Sequence, residues 1–190
     1  MTRAFIAFKL PADVVDSLRV LQSGLKKRGL NLRWVHPENI HLTLKFLGDV
    51  PAEDLQAVKH VIGEVARRQV VFSLEARGLG VFPTVKKARL LWSGIHGDVI
   101  RLNSLQATLD QSLAAIRFEP EKRSFRGHLT LGRFKRRVDA KRLAAMISEF
   151  GSYASPPFAP ERLILFQSDL KPSGAVYTEL AGEDLSIHSN

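Results

Sequence analysis

The sequence predicts an α+β chain built as two similar halves, and three observations carry that expectation. Strand-like alternation and amphipathic helical stretches mix along all 190 residues instead of segregating. A tetrapeptide, His41-Leu42-Thr43-Leu44, recurs 87 residues later as His128-Leu129-Thr130-Leu131. Each copy is followed by a helical pattern, at 52–68 and at 139–150, so the repeated unit is a strand and then a helix.

Taken in order, apolar runs and alternation predict strands near 3–9, 33–35, 40–46, 71–78, 88–95, 127–134, 158–168 and 175–180. The first helix follows the first strand. Val14, Leu18, Leu21 and Leu25 recur at helical spacing, Pro11 suits an early helical position, and Gly24 or Gly29 suits a stop. Further helices are expected at 52–68, 98–115 and 139–150. Ser155-Pro156-Pro157 and the stretch 80–87 read as loops, and no low-complexity linker divides the chain.

Composition removes whole classes of function. With 45% hydrophobic and 25% charged residues the chain is globular, and at this length roughly 70% of its unfolded surface can be buried. There is no cysteine, which excludes a disulfide framework, a thiol nucleophile, a Cys-based zinc site and an iron–sulfur cluster. No apolar run approaches membrane-spanning length, and Met1–Leu10 reads as a strand and not as a secretion signal, so a cytoplasmic location is expected. Neither a Gly-x-Ser-x-Gly elbow nor a phosphate-binding Gly-x-x-x-x-Gly-Lys loop is present.

Charge is unevenly spread. Lys+Arg number 28 against 19 Asp+Glu, a net +9. Residues 117–142 hold ten basic side chains and three acidic ones, so most of the excess lies in one segment. That segment is expected to face an anionic partner.

In a strand, residues i and i+2 share a face. His41 and Thr43 therefore point one way and Leu42 and Leu44 the other, and the same holds for His128 and Thr130. The leucines fit a buried face, and the polar pairs fit a cleft between the halves. Two imidazoles can act as general acid and general base at one pH, and two hydroxyls can donate to phosphate oxygens. This is equipment for cleaving a phosphodiester without a metal. Two histidines are too few to hold a metal, and no carboxylate stands two or four residues beyond either one. His36, His60, His96 and His188 read as turn, helix, turn and tail residues.

The stretch Trp34-Val35-His36-Pro37-Glu38-Asn39-Ile40-His41-Leu42-Thr43-Leu44-Lys45-Phe46-Leu47-Gly48 resembles the 2H phosphoesterase superfamily. Its resemblance is greatest to the RNA 2′,3′-cyclic phosphodiesterases, also called 2′-5′ RNA ligases. Phe5-Ile6-Ala7, Ala88-Arg89-Leu90-Leu91-Trp92, His128-Leu129-Thr130-Leu131-Gly132-Arg133, Leu165-Phe166-Gln167-Ser168-Asp169-Leu170 and Tyr177-Thr178-Glu179-Leu180 extend it along the chain. The resemblance implies one two-lobed, pseudo-symmetric α+β domain over residues 1–190, with two antiparallel sheets, helices on the outer faces and a central cleft. It implies hydrolysis of an RNA 2′,3′-cyclic phosphate to a 2′-phosphate, with no cofactor and no metal. His41 would donate a proton to the leaving oxygen, and His128 would accept one from water. Thr43, Thr130 and Arg133 would bind the phosphate.

Relatives often carry Pro where this chain has Gly127. Strict alternation also places Arg133 on the face opposite His128 unless the strand ends, twists or bulges near Gly132, and by the same parity Phe46 reads as core. The substrates that fit are RNA ends such as tRNA fragments, or small cyclic nucleotides. A monomer with no membrane association is expected, because two related halves can form the cleft within one chain. The rival readings are a reversible ATP-independent 2′-5′ RNA ligase, a non-catalytic RNA-binding module using residues 117–142, and a zinc or manganese hydrolase that chelation would silence.

Overall fold

The computed structural model describes residues 1–172 and 174–186. Eight strands and four helices follow in the order β1 (Thr2–Lys9), α1 (Ala12–Lys27), β2 (Leu32–Trp34), β3 (His41–Val50), α2 (Leu55–Arg67), β4 (Leu74–Phe82), β5 (Leu90–Gly97), α3 (Val99–Ala115), β6 (His128–Phe134), α4 (Ala140–Glu149), β7 (Arg162–Lys171) and β8 (Gly174–Asp184). The helix expected from residue 52 opens as a 3₁₀ turn, Ala52–Asp54, before the α-helix proper.

Local sequence explains the boundaries. The α1 stripe of Val14, Leu18, Leu21 and Leu25 is buried, Pro11 stands at its N-cap, and the last turn carries Lys26 and Lys27. Asp139 caps α4 by accepting a hydrogen bond from the Arg142 backbone N–H at 2.9 Å. Three expectations need correction. Gly80 is a strand residue, not a loop residue, because β4 runs on to Phe82. A Cβ at Gly80 would sit 2.1 Å from the Trp92 ring, so this glycine permits close approach and does not mark a turn. His96 lies in β5 opposite Glu75 and is not in a turn. The last strand extends to Asp184, past the expected residue 180, because its ladder with β7 continues beyond an irregularity at Leu165/Phe166. His188 lies outside the described residues.

The strands form one sheet in the order β4-β5-β6-β3-β1-β7-β8, with β2 also on β6, and every named ladder is antiparallel. The expected two antiparallel sheets are its two halves, β3-β1-β7-β8 and β4-β5-β6-β2. Among the described residues a single pair, Leu42 opposite Leu129, joins them. The reason is competition for one edge. β5 occupies one side of β6, and β2 takes the far end of the other side at Gly132–Phe134, which leaves β3 only the near end.

The helices cross over. α1 follows β1 of the first half but packs against the second, where Ser17 Oγ lies 3.1 Å from the Tyr153 hydroxyl and Gly24 sits against Phe150. α3 leaves β5 of the second half and packs against β3 and α2 of the first. α2 covers β7 and β8, and α4 lies on β4. The main core runs continuously beneath both halves. Five consecutive β1 residues, Ala4–Phe8, are buried because that strand has a second apolar face made by Phe5, Ala7, Ile164 and Phe166.

Candidate active site

The antiparallel register at Leu42 and Leu129 carries His41 towards Thr130 and Thr43 towards His128. All four side chains are half-buried and stand on one face, and the alternating leucines, Leu42, Leu44, Leu129 and Leu131, point into the core. The predicted pairs are thus brought together where the two halves meet.

Both rings are held alike. His41 Nδ1 lies 2.8 Å from the carbonyl oxygen of Asn39, and His128 Nδ1 lies 2.7 Å from that of Arg126. A carbonyl only accepts, so each Nδ1 carries the hydrogen and each Nε2 is left for chemistry. Asn39 is itself fixed, since its side-chain amide donates to the Ala175 carbonyl at 3.1 Å. Gly127 is closely packed, with Leu102 and Ile95 where its side chain would be, so the approach to His128 is sterically defined.

Aromatic rings wall the site. Phe5 stacks on His41 at 4.7 Å, and Tyr177 meets His41 edge-on at 5.1 Å. Phe82 and Trp92 meet His128 edge-on at 5.2 and 6.2 Å. Burial pushes both imidazoles below the ordinary histidine value, and the carbonyl hydrogen bonds oppose that shift in each. His41 is lowered further by the charge of His128. His41 therefore senses the charge of His128.

Arg133 reaches this face by the device that the parity argument required. Opposite Leu91 and Trp92, β6 offers Gly132 and then Thr130, so Leu131 is an extra residue in a β-bulge. Leu131 and Gly132 are both buried, and alternation resumes with Arg133 exposed on the histidine side. The positive charges of Arg133 and Arg3 act on Tyr177 against the rise that burial gives its hydroxyl. Arg33 stands directly opposite Arg133 on β2.

The same bulge occurs in β3. Opposite Ile6 and Ala7 stand Lys45 and then Thr43, so Leu44 is the extra residue. Phe46 is thereby placed on the histidine face, 69% exposed and 5.9 Å from Phe5, and it is not core as parity had it. Sequence reading also missed Phe5, Phe166, Tyr177, Phe82 and Trp92. The uninterrupted apolar run in β1 was the available signal for a second face.

None of the ten basic residues in 117–142 forms an ion pair among the described residues, whereas Arg19, Arg28, Arg67, Arg68 and Arg162 all do. The unneutralised charge flanks β6 at both ends. Among the described residues no group of three or more His, Asp or Glu gathers as a metal site, and no helix is long and apolar enough to cross a membrane.

The family model for LigT-like phosphoesterases matches residues 8–92 and 98–177. An RNA 2′,3′-cyclic phosphodiesterase of Methanothermobacter thermautotrophicus is 33% identical over 178 residues, covering 94% of this chain and 96% of that protein. One from Thermotoga maritima is 31% identical over 180 residues, covering 94% and 92%. A structure from Thermus thermophilus aligns with TM-score 0.79 and 27% identity, covering 96% of this chain and 97% of that one. Escherichia coli LigT complexed with 3′-AMP aligns with TM-score 0.77 and 26% identity, covering 97% and 98%. Two His-x-Thr strands meeting on one face, a matching family model and relatives aligned nearly end to end lead to one assignment: the chain belongs to the LigT-like phosphoesterases of the 2H phosphoesterase superfamily.

Proposed function

We propose that this protein hydrolyses the 2′,3′-cyclic phosphate at an RNA 3′ end, or on a small cyclic nucleotide, to a 2′-phosphate. The observation that carries the reading is the matched pair of imidazoles, each pinned through Nδ1 and offering Nε2 to the same face. Water attacks phosphorus in line with the 3′ oxygen. His128 Nε2 takes the water proton as the new P–O bond forms, and the P–O3′ bond breaks as His41 Nε2 gives its proton to the departing oxygen. The two histidines then exchange protons with solvent to reset.

The donor and acceptor roles follow the family pattern of the motifs. Thr43 and Thr130 donate to the non-bridging oxygens, and Arg133 neutralises charge on the phosphate. Phe46 offers a flat apolar ring beside the site, suited to stacking a base. The unpaired arginines and lysines flanking β6 attract the rest of the RNA. Both His-x-Thr strands belong to one chain, so a monomer suffices.

The test is incubation of a 2′,3′-cyclic-phosphate-ended oligonucleotide with the protein in excess chelator, with phosphorus NMR identifying the product. A 2′-phosphate is expected. His41→Ala and His128→Ala should each lower the rate by roughly 10²–10⁴-fold. Salt-sensitive binding without turnover would instead make this an RNA-binding protein.

A further inference from the structure

Outside the site, two buried polar side chains have no part in the reaction. Gln22 on α1 is 1% exposed and Gln106 on α3 is 7% exposed. Both lie inside apolar helix stripes, where an amide costs free energy unless it is fully hydrogen-bonded. Their settings repeat. Leu18-x-x-Leu21-Gln22-x-x-Leu25 recurs as Leu102-x-x-Leu105-Gln106-x-x-Leu109, 84 residues on, with every named residue buried.

Their partners repeat too. Gln22 Nε2 donates to the carbonyl of Leu131 at 3.0 Å and to that of Val35 at 2.9 Å. Gln106 Nε2 donates to the carbonyl of Leu44 at 3.5 Å. Leu131 and Leu44 are the extra residues of the two bulges. The bulge in β3 has a second tie from the same helix face, because Asp110, four residues after Gln106, pairs with buried Lys45.

We infer that Gln22 and Gln106 are positioning residues that hold the two bulges, each from a helix that packs across from the half where its own strand began. Gln22 sets the place of Arg133 and Gln106 that of Phe46. Residues ahead of each bulge have their own anchorage. His128 and Thr130 pair with Gly94 and Trp92 of β5, and His41 and Thr43 pair with Lys9 and Ala7 of β1. Arg133 and Phe46 are paired too, with Leu90 and Phe5, but their offset from the histidines is set by the bulge, so loosening a bulge shifts that offset and leaves the histidine pairing in place. The inference rests on the reading above that Arg133 and Phe46 touch substrate.

A double-mutant cycle on kcat/KM, using a dinucleotide 2′,3′-cyclic phosphate, tests it. Gln22→Met keeps the length of the side chain and removes both donors. In the natural chain it should lower kcat/KM about tenfold, mainly through KM, because the amide that ties the Leu131 and Val35 carbonyls together is lost, the Leu131 carbonyl keeps only the Val35 N–H, and the bulge relaxes. In an Arg133→Ala background the further loss should be no more than about twofold. Gln106→Met should show a smaller loss that vanishes with Phe46→Ala and persists with Arg133→Ala. Losses of equal size in every background overturn the inference and make the glutamines simply stabilising. If Gln22→Met does not fold, Gly132→Ala strains the same bulge and must show the same dependence on Arg133. An unchanged KM in Arg133→Ala alone would instead overturn the reading of Arg133.

Discussion

The strands β3 and β6 are one design carried out twice with different side chains. Both place His and Thr on the shared face, insert an extra leucine and return to that face five residues after the histidine. Beyond the bulge they part. β3 buries Lys45 and exposes Phe46, whereas β6 buries Gly132 and exposes Arg133. The backbone thus duplicates the His-x-Thr pair, and the residues after the bulge make the two sides unequal. One side presents an apolar ring and the other a cation, which gives a symmetric frame a direction.

The sharpest way to break the comparison is at the buried bulge residues. Lys45 is 6% exposed, and it is held by Asp110 and by the Glu119 carbonyl at 2.6 Å. Asp110→Ala should cost about 3–5 kcal/mol in a urea melt, because it strands a buried charge, and adding Lys45→Met should recover most of the loss. Gly132→Ala should cost less, about 1–3 kcal/mol, since a Cβ there meets the Arg33 carbonyl at 3.1 Å and the Leu32 side chain at 3.2 Å. Equal costs, or no recovery in the double variant, would mean the two bulges are not held differently.

Next in size are the exposed residues. Arg133→Ala should raise KM about tenfold and reduce its salt dependence, as the proposed phosphate contact requires. Phe46→Ala should raise KM by a similar or smaller factor without changing the salt dependence, in line with a stacking contribution of about 1–3 kcal/mol per base. Steady-state kinetics at two ionic strengths separate the two. A shared salt response would erase the functional difference between the strands.

The smallest effect is on stability against pH. Both imidazoles titrate below the ordinary value near 6.5 in the folded protein. The unfolded chain therefore binds more protons as pH falls through about 6.5, so stability declines there and levels off once the folded rings are protonated. Thermal melts between about pH 7 and 5 should show a shallower slope in a His41→Asn/His128→Asn variant than in the natural chain. An unchanged slope would mean that burial does not depress these rings. For activity the same shift places the acid limb of the kcat/KM profile below about pH 6.5.

Much of this molecule was legible in its residues. Alternation and helical spacing located all eight strands and four helices, because most of them carry a buried apolar face, although β8 has no fully buried residue. The two histidines and two threonines could be read because a repeated tetrapeptide is a local signal. Arg133 and Phe46 were harder. Their orientation depends on one extra residue in each strand, and a bulge is defined by the partner strand, which the linear sequence does not show. Gln22 and Gln106 broke the apolar stripes visibly, but the bulge carbonyls they serve lie 109 and 62 residues away. The aromatic walls escaped for the same reason, since Phe5, Phe166 and Tyr177 meet only when three strands pair.

The exchange of helices between the halves bears on how the chain acquires its structure. A half-sheet assembled alone would lack the helix that closes its bulge, since α1 comes from one end of the chain and α3 from its middle. The repeat therefore does not correspond to two modules that mature one after the other during synthesis. Completion of either His-x-Thr strand waits on chain from the other half, so the two halves are expected to gain and lose order in a single cooperative step.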